Sequence, residues 1–124
     1  MPVIFQKDAP SFSLPGLSVR GLAAPSRGAT ESSVWRLSLA AGSPGTEHSV
    51  DREEIFVVLS GRALARLGGE EIELAAGDTL IVPPGQPFSL SNRGAEACEA
   101  LAVAPAGVRA RIGGGEPFAP PWTE

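Results

Sequence analysis

The sequence predicts an all-β protein folded as a single domain, and three observations carry the prediction. The 124 residues include 15 Gly and 12 Pro, enough to break the chain into many short pieces. The pieces between these residues are apolar, or alternate apolar with polar, as short strands do. No stretch holds a helical period. Roughly eight to ten strands at this turn spacing fit a sandwich or a small barrel.

Residues 1–31 read as an N-terminal arm with edge strands, because Pro2, Pro10, Pro15 and Pro25 interrupt pieces such as "FSLPGLSV". In "SSVWRLSLA", from residue 32, Trp35, Leu37 and Leu39 alternate with Arg36, Ser38 and Ala40, so one face is apolar and the other mixed. Gly42, Pro44 and Gly45 end that run. "IFVVL", residues 55–59, is apolar on both faces, so its outer face needs a cover: the other sheet, the arm or a second subunit. "ALARL" and "EIELA" flank Gly68-Gly69, a hairpin turn that tolerates positive φ at both positions. "AGDTLIVPPGQPFSLSN" supplies a strand, a Pro-Pro-Gly turn and another strand, and "CEALAVA" supplies one more. The barrel proper therefore spans residues 32–105. Residues 106–124 are rich in Gly and Pro but carry Phe118 and Trp122, apolar anchors that predict packing on the barrel rather than a free tail.

Composition narrows the function classes. The formal net charge is −4, and Lys7 and the arginines are scattered without a basic stripe, which argues against nucleic acid as a partner. No window has the length and apolarity to span a bilayer, and the N-terminal residues do not read as a secretory leader, so the expected setting is cytoplasmic with no membrane partner. Cys98 is the only cysteine and His48 the only histidine, so this chain cannot build an internal disulfide or a zinc cluster by itself. Cys98 reads as a buried structural thiol.

Two segments repay reading together. Gly42, His48, Val50, Glu54 and Gly61 are spaced G-x5-H-x-V-x3-E-x6-G, and Gly77, Pro83, Gly85, Phe88 and Asn92 are spaced G-x5-P-x-G-x2-F-x3-N. The pair resembles the two motifs of the cupin superfamily, G-x5-H-x-H-x3,4-E-x6-G and G-x5-P-x-G-x2-H-x3-N. The resemblance spans residues 42–92 by motif and implies a cupin-type double-stranded β-helix, a jelly-roll barrel. The glycines independently suit tight turns, and such turns pin the strand register that decides which side chains enter a barrel.

The resemblance also implies a metal, because in metal-binding cupins two histidines and the glutamate of the first motif and the histidine of the second converge on one divalent ion. Carried over by position, those places are His48, Val50, Glu54 and Phe88. Val50 and Phe88 have no donor atoms, and catalytic metal sites generally take three or four protein ligands. The expectation is therefore no cofactor and no resident metal. The alternative is a divalent metal ion held through atypical ligands such as Glu47, Ser49, Gln86 or Cys98, although period-2 geometry turns Glu47 and Ser49 away when His48 and Val50 point inward.

The same substitutions describe a ligand pocket with hydrophobic walls, formed by Val50, Phe56 and Phe88 around His48 and Glu54, with Val58 in the same alternation phase. His48 and Glu54 are expected to hydrogen-bond or to form a partly buried ion pair. They are the candidate catalytic residues, unless His48 is simply a satisfied interior histidine. Arg36 would clamp a ligand carboxylate if its face is the lumen, and is a solvated arginine if it is not. The expected function is small-molecule binding in a degenerate, metal-free barrel site. The rival is an enzyme: a metal-dependent oxygenase or isomerase with an atypical site, or a metal-free isomerase or cyclase using His48 and Glu54. An accessory or sensor role without catalysis is a third reading, since cupins host all of these. The resemblance also implies a homodimer paired through its sheets.

Overall fold

The computed structural model describes residues 2–124 and holds eleven strands among them. In chain order these are β1 (Ser11–Leu14), β2 (Leu17–Ala23), β3 (Ser32–Leu39), β4 (Ser49–Val50), β5 (Glu54–Ser60), β6 (Arg62–Leu67), β7 (Glu70–Ala75), β8 (Thr79–Val82), β9 (Phe88–Ser91), β10 (Cys98–Pro105) and β11 (Ala110–Arg111). Six make one sheet in the order β1-β2-β3-β10-β5-β8, and three make a second in the order β7-β6-β9. β4 and β11 form a short separate ladder. Every pairing is antiparallel. The result is an all-β jelly-roll barrel in one domain.

The alternation read in the sequence is the alternation of burial. β3 buries Ser33, Trp35, Leu37 and Leu39, and β5 buries Glu54, Phe56 and Val58. β10 buries Cys98, Ala100, Ala102 and Ala104 between those two strands. Ala102 is the cross-strand partner of both Trp35 and Phe56, so a methyl group separates two large rings and leaves them room to turn into the interior. The buried thiol of Cys98 is pushed up in pKa by burial and, secondarily, by the Glu99 carboxylate, which suits a structural thiol.

Turn chemistry fixes the registers. β6 and β7 are joined by Gly68 at φ 54° and Gly69 at φ 85°, the two positive dihedrals of a tight hairpin. Gly61, at φ 75°, has a second constraint: a Cβ there would stand 2.5 Å from the Ala97 carbonyl oxygen. Asn92 is buried and donates through Nδ2 to the carbonyls of Leu39 and Glu96, while its Oδ1 accepts from the Gly94 amide. That residue ties the end of β3 to the loop before β10.

Segments near both ends of the described chain join the barrel. β2 pairs with β3 and buries Val19, and β1 is the sheet edge. Near the other end, Ala110 and Phe118 exchange two backbone hydrogen bonds of 2.8 and 2.9 Å. Thr123 is buried, with its carbonyl accepting from the Ser33 hydroxyl at 2.8 Å, and Trp122 packs against the core edge-to-face with Phe12.

Candidate functional site

The barrel interior opens into a cavity of about 470 Å3, a size typical of small-molecule sites. Five of the six candidate pocket residues line it: His48, Val50, Glu54, Phe56 and Phe88. They arrive from different elements. β5 turns Glu54 and Phe56 inward by its alternation, and β4 does the same for Val50. Phe88 opens β9 and is fully buried. His48 is held beside it by an isolated bridge, with reciprocal backbone hydrogen bonds of 3.0 and 2.9 Å.

Arg36 is not brought to the cavity. It lies on the opposite face of β3 from Trp35 and Leu37, 3.6 Å from the Glu99 carboxylate. The mixed face of that strand is the outside of the sheet, so the outer-face alternative holds and the ligand clamp does not.

The expected pair of His48 and Glu54 also does not form. His48 Nδ1 lies 2.9 Å from the Thr46 carbonyl. A carbonyl only accepts, so Nδ1 carries a proton and Nε2 is the nitrogen left to meet a ligand. The His48 ring rests on Phe88, with centroids 4.4 Å apart, and Phe88 in turn packs on Phe56 at 5.7 Å. Glu54 is 5% exposed and no side-chain hydrogen bond reaches its carboxyl among the described residues. Burial among apolar walls disfavours the charged form, and its pKa is pushed up to about 8. Burial thus favours the neutral carboxylic acid over the carboxylate at Glu54, with one imidazole nitrogen elsewhere on the wall.

The four positions where the resemblance places metal donors do line one cavity. Only His48 and Glu54 among them carry donor atoms, and the residues described contain no group of three or more His, Cys, Asp or Glu placed to hold an ion. The donor set does not fit a divalent metal centre of three or four protein ligands.

Much of the wall escaped the sequence reading. Leu14, Pro15 and Leu17 come from the β1–β2 turn, and Ile112, Phe118, Pro120 and Trp122 come from the C-terminal segment. Leu14, Ile112 and Phe118 are among the exposed large apolar residues, so these lining groups also reach solvent. The aromatics of the Gly/Pro-rich end signalled docking, but not that they dock over the cavity.

Comparison with known proteins places these features. The model of the cupin domain family matches residues 35–104. A tetracenomycin polyketide synthase protein, TcmJ of Streptomyces glaucescens, is 36% identical over 81 residues, which cover 64% of this chain and 54% of that protein. An uncharacterized protein of Methanocaldococcus jannaschii is 43% identical over 42 residues, 34% of each chain. The chain thus matches about half and about a third of the length of these two relatives. The structure of the polyketide cyclase RemF of Streptomyces resistomycificus superposes with a TM-score of 0.82 over 94% of this chain and 87% of that one, at 19% identity.

Proposed function

The chain belongs to the cupin domain family, and on that premise we propose that it binds a small, largely apolar molecule inside the barrel without a resident metal. The observation that supports this is the composition of the cavity wall: Trp35, Phe56, Phe88, Phe118 and Trp122 supply aromatic surface, and His48 and Glu54 are its ionisable groups. Pockets of this kind draw affinity from apolar burial and orientation from a few polar groups. Aromatic walls suit a planar ligand, through offset and edge-to-face contacts. The polyketide descriptions of TcmJ and RemF support a polyketide-like molecule.

A thermal-shift screen of aromatic compounds tests the reading, since a ligand bound only by the folded chain raises the melting temperature. Hits should lose their effect in Leu90→Trp, which fills the cavity from a half-buried wall position. Shifts that persist in that variant would place the binding elsewhere.

A second reading has the same cavity catalyse proton transfer, with Glu54 as acid and His48 Nε2 as base. Its support is the Glu54 carboxyl, which keeps its proton near neutrality as a general acid must. Exchange of the α-hydrogens of a bound ketone with deuterated solvent, abolished in Glu54→Gln and in His48→Ala, is the expected signature.

The assembly we propose is a cytoplasmic homodimer. Val34, Val103, Ile55 and Ile81 are successive cross-strand neighbours on the outer face of the large sheet, with Leu101 and Val57 in the adjoining row. Ile81 is 58% exposed. An isologous contact would cover this face with its own copy. The single buried thiol, Cys98, needs no oxidising compartment.

A further inference from the structure

The charge content of the cavity wall narrows the ligand class further than its apolarity does. Lys7 and all nine arginines lie outside the cavity lining, and Glu54 is the one carboxyl group within it. A ligand carboxylate or phosphate entering here would lose its hydration and find no lysine or arginine to replace it, only the single imidazole of His48. That cost holds whichever protonation state Glu54 is in: an ionised Glu54 repels the anion, and a neutral one offers at most a single hydrogen bond. The nearest-looking remedy, Arg36, is turned to the other side of the sheet and is occupied with Glu99.

A cation fares little better. It would have to shed its own water and ionise a carboxyl that burial holds as the acid. The hydroxyls of Ser43 and Thr46 and the indole N–H groups of Trp35 and Trp122 in the wall carry no charge, and its ionisable groups are the Glu54 carboxyl, without a protein partner, and His48, whose Nε2 is freed because Nδ1 is committed to Thr46. Together these two can give one hydrogen bond and take one.

We infer that the cavity selects uncharged molecules whose polar end carries a hydrogen-bond donor beside an acceptor, such as a phenol or enol hydroxyl next to a carbonyl. Molecules of similar ring size that carry a carboxylate, a phosphate or an ammonium group are rejected by charge, not by shape. This inference rests on the barrel-binding reading above and adds the chemical class of its ligand.

Three probes of matched ring system test it: 1-hydroxy-2-acetonaphthone (neutral), 1-hydroxy-2-naphthoate (anionic) and 2-naphthylmethylammonium (cationic). Binding is followed at pH 7 by quenching of Trp35 and Trp122, both in the cavity wall, and by calorimetry. The neutral ketone should bind at least about tenfold more tightly than either ion, a difference of about 1.4 kcal/mol. Val50→Lys should reverse the order of ketone and naphthoate by supplying the missing cation. Naphthoate or ammonium binding as tight as the ketone in the unaltered protein, lost in Leu90→Trp, overturns the charge selection and leaves the barrel-binding reading standing. Binding by none of the three overturns both.

Discussion

His48 and Phe88 meet twice, once through two reciprocal backbone hydrogen bonds and once through rings whose centroids are 4.4 Å apart. One belongs to the first motif and the other to the second, so this contact joins the segment before β5 to the segment after β8 at the cavity wall. It places an apolar ring where the family pattern has a metal-binding imidazole. The protein should therefore carry far less than one equivalent of any first-row transition metal when purified without added ions. Val50→His with Phe88→His should raise uptake of zinc or nickel to near one equivalent by elemental analysis, since four donors then face one cavity. Stoichiometric metal in the unaltered protein, lost in His48→Ala, is the contrary outcome.

Glu54 makes stability fall with rising pH. Its folded-state pKa of about 8 lies above the usual 4.5, so across that window the folded chain keeps a proton that the unfolded chain has released. The stability is fully present below about pH 4.5, declines through the window, and stops changing on this account once both states are ionised above about 8. Glu54→Gln should remove the slope and raise stability at pH 9 by on the order of a few kcal/mol, with little effect at pH 4.5. Urea unfolding at several pH values measures both curves.

Trp122 holds the C-terminal segment to the barrel and is only partly buried. Trp122→Ala should cost about 2–3 kcal/mol, less than the upper range for a fully buried ring, and should also weaken binding in the cavity that it lines. Chemical unfolding gives the first quantity, and a titration with 1-hydroxy-2-acetonaphthone gives the second.

Ile81 stands at the end of the apolar row on the outer sheet face. Ile81→Lys changes an exposed side chain, so stability of the subunit should alter by less than about 0.5 kcal/mol. The proposed dimer should nonetheless dissociate, read by sedimentation velocity at micromolar concentration. A monomer before the substitution, or an unchanged dimer after it, would exclude this face as the interface.

The sequence by itself determined the all-β class, the positions of the turns and the inward phase of β5, and it brought out the motif residues His48, Val50, Glu54 and Phe88. These are properties of neighbours along the chain: a period of two sets which face a side chain takes, and a positive φ at Gly61, Gly68 or Gly69 restricts where the strand can reverse. Tertiary structure alone decided that Arg36 faces outward to Glu99, that His48 turns Nδ1 to Thr46 instead of pairing with Glu54, and that Leu14, Ile112, Phe118 and Trp122 complete the wall. An amphipathic strand does not announce which of its two faces becomes the lumen when the other is mixed rather than charged, as on β3. Likewise the charge state of Glu54 depends on which apolar groups crowd it and which partners fail to arrive, and both are set by contacts between segments far apart in the chain.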